Sequence, residues 1–498
     1  MTDNEPMNEI SPPGLKPLCG LLAGLTLMGL AGCAAVGPDY TPPAAKAPNA
    51  WHTALQNGLS AGPIDPVSIA SWWTRFDDPV LSELITGAVT NNLDLAEARA
   101  RVREARAGRG ISQAALFPAL DATASATKSR SSENSGSGRE SELYAVGFDA
   151  GWELDVFGGV RRSIEASDAD LAAITEDLYD VLVSLVAETA LNYLEARTFQ
   201  ERLRVAEANI KTQEETYRLT RSRFEAGLSD ELPVQQALYN LESSRSELPT
   251  LRTGLEAAQN RLAVLLGMQP GAVHDALSEA KPIPVPPVSV AVGVPAEALR
   301  RRPDVRRAER RLAAQTARIG VAVADLYPKF RLSGSIGLES ISTGDVLNTD
   351  SRTWRIGPGI SWNVFDAGAI RRNIAVNSAL QEQALIQHES TLLAALEEVE
   401  NALTAYAEEQ HRRRSLIAAT EAAQLATALS RDRYMAGLVD FSNVLINERA
   451  VLSFQDNLAL SNRTVTANLV RLYKALGGGW TPLDEGSDVA SSLSGETP

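Results

Sequence analysis

The sequence is poor in aromatic residues and cysteine, and beyond its N-terminus it lacks long apolar runs. Aromatic residues make up 5% of the 498 positions, which suits long helices packed in layers better than a thick globular core. The formal net charge of −15 argues against a nucleic-acid-binding protein, because such proteins usually present a basic face. Since no later stretch reaches about 18 apolar residues, we expect no transmembrane helix, and membrane entry would require β-strands.

Recognisable catalytic motifs are also missing. The histidines at 52, 274, 388 and 411 are scattered, and His388 does not begin a zinc-binding HExxH sequence. No Walker A sequence occurs, and Gly334–Gly337 lacks the first glycine of a nucleophile elbow. We therefore predict no enzyme activity, no cofactor and no metal site. Without nucleotide-binding machinery, any transport must draw its energy from a partner.

Two stretches share one pattern at an offset of 210 residues. Tyr144–Arg162 (YAVGFDAGWELDVFGGVRR) and Trp354–Arg372 (WRIGPGISWNVFDAGAIRR) both begin with apolar and polar residues in alternation and end in two arginines. The same gapless offset relates Leu93–Gly267 to Pro303–Gly477. The chain is therefore a tandem duplication of one long unit.

Aromatic residues lie eight positions apart in each repeated strand, at Tyr144 and Trp152 and again at Trp354 and Trp362. Eight residues span roughly 26 Å in a strand. That length is close to the ~25 Å lipid-facing band of an outer-membrane barrel, which carries aromatic girdles at both rims. We predict that these four residues form such girdles. Pro358 cannot donate to a strand ladder, which predicts a bulge or an interface edge there.

Each copy reads as one β-hairpin followed by two long helices that reverse at a glycine. Coiled-coil spacing supports the helices, as in the seven-residue steps from Val444 to Leu472, and Pro249 is expected to kink one of them. The predicted organisation is a signal peptide (1–32), an acylated N-terminal tether (33–70), a first repeat (71–280, with hairpin 120–157 and long helices 160–266), a linker (281–294), a second repeat (295–480, with hairpin 330–365 and long helices 370–476) and a disordered tail (481–498).

The N-terminus has the features of a lipoprotein signal. Lys16 precedes an apolar run from Leu18 to Leu30, and Leu-Ala-Gly-Cys then ends at Cys33. This tetrad resembles a bacterial lipobox, in which Cys33 would be acylated. The alternative is a plain signal peptide with a coincidental cysteine. Because acids precede Lys16, translation from Met7 is a second possible start.

Four strands cannot close a barrel, and an open strand edge cannot face lipid. The chain must therefore share strands with other copies. Two copies would give eight strands, a number whose interior is filled by side chains. Three copies would give twelve strands, the first multiple that leaves a lumen.

Several motifs together resemble the TolC-like outer membrane factors, in particular the lipoproteins of OprM and NodT type that serve resistance-nodulation-division efflux pumps. They are CAAVGPDY from Cys33, WWTRFDDPVL from Trp72, the junctions LFPAL and LYPKF, and FDAGAIRR from Phe365. The resemblance spans about residues 33–480. It implies a mainly α fold with a β-barrel contribution: a homotrimer with a 12-stranded outer-membrane β-barrel and a periplasmic α-barrel. Its implied partners are a periplasmic adaptor, an inner-membrane pump and outer-membrane lipid.

The resemblance also assigns the periplasmic tips, which would contact the adaptor and close the tube. The implied adaptor-docking residues are Arg223, Phe224, Gly227, Leu228, Arg433, Tyr434, Gly437 and Leu438.

Tyr434 matches a tyrosine of the closed-state network in some family members. Asn443 and Ile446, however, stand where members often place aspartates that ring the aperture. The predicted gate candidates are therefore Asp230, Glu231, Tyr434 and Asp440. The alternative for the acids is that they cap helix N-termini.

The repeated arginine pairs, Arg161–Arg162 and Arg371–Arg372, fall at helix starts, where the helix dipole disfavours cations. Binding of acidic lipid, lining of the barrel mouth, or interface anchoring by snorkelling side chains would each explain them.

The predicted function is a passive outer-membrane duct that carries small molecules from an efflux pump and adaptor to the exterior. A duct for type I protein secretion is the alternative of the same class. A periplasmic adaptor and a structural coiled-coil lipoprotein are alternatives of other classes, but neither explains two hairpins with aromatic residues eight apart.

Overall fold

A computed structural model describes residues 35–44, 47–284 and 290–480. The predicted signal peptide, Cys33 and the predicted tail lie outside the described residues. The chain divides into two compact units. The sheet unit contains Glu104–Ala172, Arg310–Ile386 and the chain up to Pro42, and the helical unit contains Pro43–Arg103, Ala173–Glu309 and the chain from Gln387.

Helices make up most of the described chain. They are α1 (Pro66–Ala70), α2 (Pro79–Asn91), α3 (Leu93–Ala114), α4 (Gly159–Glu225), α5 (Leu232–Leu265), α6 (Pro295–Arg301), α7 (Pro303–Ala324), α8 (Ala369–Met435) and α9 (Phe441–Ala475). The helices α4 and α8 each have 67 residues, and their bounds differ by the 210-residue offset. At 1.5 Å per residue each is about 100 Å long. In the described residues, no helix has the length and hydropathy to cross a membrane.

The longer strands form one antiparallel sheet in the sheet unit. Its strands are β2 (Ala119–Arg130), β3 (Glu140–Leu154), β5 (Lys329–Ser340) and β6 (Arg352–Ser361), in the order β2-β3-β5-β6. The register is continuous in all three pairings. The two hairpins therefore join through β3 and β5, one strand from each repeat.

The register places the apolar residues of all four strands on one face. Phe148 on β3 pairs with Ile336 on β5, which in turn pairs with Trp354 on β6. One residue along, Asp149 pairs with Ser335 and belongs to the polar face. Side chains on the apolar face, including Phe148, Ile336 and Trp354, are exposed to solvent in the single chain. The strands thus show the predicted alternation of apolar and polar residues. The apolar face of the sheet is not covered by any part of the described chain.

The second hairpin ends earlier than the predicted boundary at residue 365. Strand β6 stops at Ser361, so Trp362 lies just beyond it. Further along, the Asp366 carboxylate accepts the N–H of Gly368 at 2.8 Å and of Ile370 at 2.7 Å and begins the helical turn. Pro358 pairs with Leu332 in continuous register, so it forms no bulge, and its strand β6 is an edge of the described sheet.

Residues 51–70 of the predicted tether (33–70) pack into the helical unit. Trp51, Ile64 and Ile69 are buried in the main hydrophobic core of the helical unit. A two-residue strand, β1 (Leu59–Ser60), pairs in parallel with β4 (Val290–Ala291) inside the predicted linker. Burial of a tryptophan and two isoleucines favours packing of this segment over free extension.

The ends of the helical hairpins are fixed by one side chain in each repeat. The amide of Asn92 donates to the carbonyl of Leu265 at 2.9 Å. At the equivalent positions, Arg302 donates to the carbonyl of Ala475 at 2.8 Å. These donors satisfy carbonyls that a helix C-terminus leaves without partners. Pro249, where a kink is predicted, lies inside α5, which is one continuous helix from Leu232 to Leu265.

Candidate functional site: helical tips and sheet junctions

The long helices reverse at glycine turns in both repeats. Gly227 after α4 and Gly437 after α8 have left-handed φ angles of +69° and +71°. In the first turn, the N–H of Leu228 donates to the carbonyl of Arg223 at 2.8 Å, and the second turn repeats this bond at 2.9 Å. These are Schellman C-caps, and glycine adopts their left-handed position without the penalty of a Cβ atom.

An aromatic residue lies three positions before each of these glycines, and its environment differs between the two turns. Tyr434 is 8% exposed, whereas its counterpart Phe224 is 42% exposed. The Tyr434 ring lies 5.2 Å from the Phe441 ring, and the guanidinium of Arg223 lies 5.2 Å from the Tyr434 ring centroid. The Tyr434 hydroxyl has no hydrogen-bond partner among the described residues. Tyr434 thus packs the second tip against the first.

A buried polar cluster connects both repeats just behind the tips. Glu448 is buried on α9, and its Oε1 accepts the hydroxyl of Thr216 at 2.8 Å and the guanidinium of Arg431 at 3.0 Å. Arg431 also donates to the Thr216 hydroxyl at 3.0 Å. Three helices, α4, α8 and α9, meet in this cluster. Sequence reasoning missed it, because only the fold brings these residues together.

The predicted gate acids are exposed at the starts of the returning helices. Asp230 and Glu231 precede α5, and Asp440 precedes α9. Neither Glu231 nor Asp440 makes a side-chain cap bond, although both occupy N-cap positions. Hydrogen-bonded capping therefore does not explain these two carboxylates.

The other predicted tip residues form the outer surface of the turns. Apolar side chains at Phe224, Leu228 and Leu438 are exposed, as is Met435 beside them. Arg433 is exposed at the end of α8, where a cation complements the negative end of the helix dipole. The tips thus present an apolar surface with basic residues beside it.

The predicted girdle residues occupy opposite ends of the sheet strands. Tyr144 and Trp354 lie toward the hairpin loops, and Trp152 and Trp362 lie at the helix junctions. The indole N–H of Trp152 donates to the carbonyl of Leu116 at 2.8 Å, and that of Trp362 makes the equivalent bond to Leu326 at 3.0 Å. Each bond ties the end of a strand to the preceding helix-to-strand turn.

Comparisons with known proteins bear on the whole chain. The outer membrane efflux protein family matches residues 84–268 and 294–478, two blocks at the repeat offset. Nodulation protein T of Rhizobium leguminosarum bv. viciae is 32% identical over 92% of this chain and 93% of its own length. The toluene efflux pump outer membrane protein TtgI of Pseudomonas putida is 32% identical over 91% of this chain and 97% of its own.

Solved structures share the architecture. The outer-membrane channel OprN superposes with a TM-score of 0.84 at 36% identity and covers 90% of this chain and 100% of its own. The open state of the Neisseria gonorrhoeae MtrE outer membrane channel has a TM-score of 0.76 at 28% identity, covering 90% of this chain and 99% of its own. Members of the family are outer-membrane channels with a periplasmic helical portion, and they are not enzymes. They form trimers that work with efflux pumps. By the two family blocks and these full-length similarities, the chain belongs to the outer membrane efflux protein family.

Proposed function

We propose that this chain is the passive exit channel of a tripartite efflux system. Three copies would share a 12-stranded barrel and a helical tube. Small-molecule substrates would arrive from a resistance-nodulation-division pump through a periplasmic adaptor. A fatty-acylated Cys33 would anchor each chain to the outer membrane, because several acyl chains hold a protein far more firmly than one.

The four-stranded sheet is the observation that carries this proposal. Its apolar face is exposed, and β2 and β6 are its edges in the described part of the chain. Apolar strand faces are stable against lipid, but unpaired backbone groups at an edge are not. Closure with the strands of sister chains satisfies both requirements.

The direct test is reconstitution of the purified, acylated protein in planar bilayers. We expect heat-modifiable trimers in outer-membrane fractions and single-channel conductance from the same preparation. A Cys33→Ala variant should be lost from the lipoprotein pool while its barrel-forming residues are unchanged. A protein that remains monomeric and conducts nothing in lipid would contradict the proposal.

We further propose that the tips form the closed gate. The Thr216–Arg431–Glu448 cluster and the packing of Tyr434 hold the two tips of one chain together. Asp230, Glu231 and Asp440 would then form an acidic constriction, which attracts cations to a narrow aperture. Asp440→Ala should raise the resting conductance or reduce cation selectivity, and the buried-cluster variant Arg431→Ala should raise the resting conductance further. If both the resting conductance and the cation selectivity of Asp440→Ala were unchanged, this residue would not be part of the gate.

The exposed apolar turns are the proposed docking surface for the adaptor. Leu228→Glu combined with Leu438→Glu should abolish adaptor pull-down, because a charge replaces each apolar contact. Leu425→Glu is the control, since Leu425 is an exposed leucine within α8 and lies away from the turn that follows this helix. Equal loss of binding in the control would show that the turns do not carry the interaction.

A further inference from the structure

The repeated arginine pairs have different environments in the two repeats. In the first copy, Arg161 donates to the carboxylate of Asp155 at 3.1 Å. Arg162 is 4% exposed and donates to Glu165 at 2.8 Å and to Asp39 of the N-terminal segment at 2.6 Å. Every guanidinium in this pair therefore has a carboxylate partner within the chain.

In the second copy, Arg371 and Arg372 are exposed in the single chain, and no described residue of this chain accepts a hydrogen bond from either side chain. Phe365 stands at the position of Asp155, and Ala375 stands at that of Glu165. The preceding acid, Asp366, already accepts two backbone N–H groups. The cations of Arg371 and Arg372 have been kept while the anions that pair with their counterparts have been replaced.

The segment between the end of β6 and the start of α8 carries exposed apolar side chains. Val364 is 78% exposed and Phe365 is 87% exposed, and Trp362 is exposed beside them. These residues follow β6, which ends at Ser361. We name Trp362, Val364, Phe365, Arg371 and Arg372 the second-copy junction patch.

We propose that the second-copy junction patch binds the phosphate group of an anionic glycerophospholipid. Aromatic and aliphatic side chains would contact the acyl chains, and the two arginines would bind the phosphate, which a guanidinium recognises through paired hydrogen bonds. An anionic lipid supplies the negative charge that Asp39, Asp155 and Glu165 supply in the first copy. The inference rests on the outer-membrane location of the sheet and places this lipid in the leaflet at the helix junctions.

The test is native mass spectrometry of the full-length protein with phosphatidylglycerol and phosphatidylethanolamine of matched acyl chains. The unaltered protein should retain phosphatidylglycerol about 30-fold better, as expected for two arginines acting near an anionic headgroup. Arg371→Gln combined with Arg372→Gln should remove this preference. Arg355→Gln is the control, because Arg355 is exposed on the polar face of β6.

The inference would be overturned by no preference in the unaltered protein, by an undiminished preference in the double variant, or by equal loss in Arg355→Gln. Displacement of the lipid by soluble glycerophosphoglycerol would also contradict it, because a free phosphate group would then suffice. Single-channel conductance should be unchanged in the double variant. Failure of the lipid site is therefore distinguishable from failure of the proposed channel function.

Discussion

The two repeats have nearly the same backbone and different side-chain contacts. Their 67-residue helices, their glycine turns and their tryptophan-to-carbonyl bonds recur at one offset. In contrast, Arg162 is buried against the N-terminal segment, whereas Arg372 is exposed. Both repeats share the periodicity and the turn geometry, because these determine the path of the backbone. The contact partners of individual side chains differ between the repeats.

The helical unit shows the same divergence in its core. In the first copy, the buried Arg197 donates to the Tyr193 hydroxyl at 3.0 Å and to the carbonyl of Glu279 at 2.6 Å. The equivalent positions in the second copy are Leu403 and Ala407, both buried. One repeat thus stabilises its helices with a polar network at a place where the other uses apolar packing. Buried polar groups need hydrogen-bond partners, and the apolar pair of the second repeat avoids that requirement.

Mutation of the two residues that bind the helix C-termini, Arg302 and Asn92, should give the largest difference in stability loss between the repeats. Arg302→Ala would leave Asp304, Glu398 and the carbonyl of Ala475 without this guanidinium, since it pairs with all three. Loss of one partner of a buried ion pair costs about 3–5 kcal/mol. Asn92→Ala removes a neutral donor and should cost about 1–3 kcal/mol. Thermal unfolding followed by helical circular dichroism should show the larger fall in Tm for Arg302→Ala, and equal falls would refute this ranking.

A smaller difference in stability loss is expected between Gly227 and Gly267, two glycines that end helices in the same left-handed conformation. Gly227→Ala places a methyl group in open space, so only the left-handed backbone is disfavoured, at about 1–2 kcal/mol. Gly267→Ala places it 2.4 Å from the carbonyl oxygen of Asn91 and forces the backbone to move. The second substitution should lower Tm more than the first. A reversed order would mean that the helix ends are not packed as described.

The smallest expected effect is the pH dependence of the stability that the Asp304–Arg302 pair contributes. Burial alone would raise the pKa of Asp304, but hydrogen bonds and the charge of Arg302 hold it below its ordinary value of 3.8. A depressed carboxyl pKa stabilises the folded state above pH 3.8, and this contribution is lost as pH falls through the folded-state value. The stability gap between the unaltered protein and Arg302→Ala should therefore narrow below pH 3.8. A constant gap across that range would contradict the pairing.

Much of the fold could be predicted because its signals are local and occur twice. Alternation along Trp354–Ser361 and the 210-residue offset gave the faces of the sheet and the lengths of the long helices. The packing of residues 51–70 could not be read in this way, because a two-residue strand has no periodicity and the segment has no second copy. The Thr216–Arg431–Glu448 cluster was also missed, since its members lie far apart in sequence.

Strand pairing between subunits provides the most direct test of the central claim that identical chains share one barrel wall. Asp149 on β3 pairs with Ser335 on β5. Because β6 repeats β3 and β5 repeats β2, the same register across a subunit boundary joins Gly359 of one chain to Ser125 of the next. Both positions lie on the polar face of the sheet.

The measurement is disulfide formation in outer membranes carrying the double variant Gly359→Cys/Ser125→Cys. We expect covalent trimers on oxidation, resolved without reducing agent and lost on reduction. Gly359→Cys with Ala124→Cys is the control, because a one-residue shift moves the second cysteine to the opposite face. Monomers alone from the first variant, or equal cross-linking of both, would contradict the shared wall.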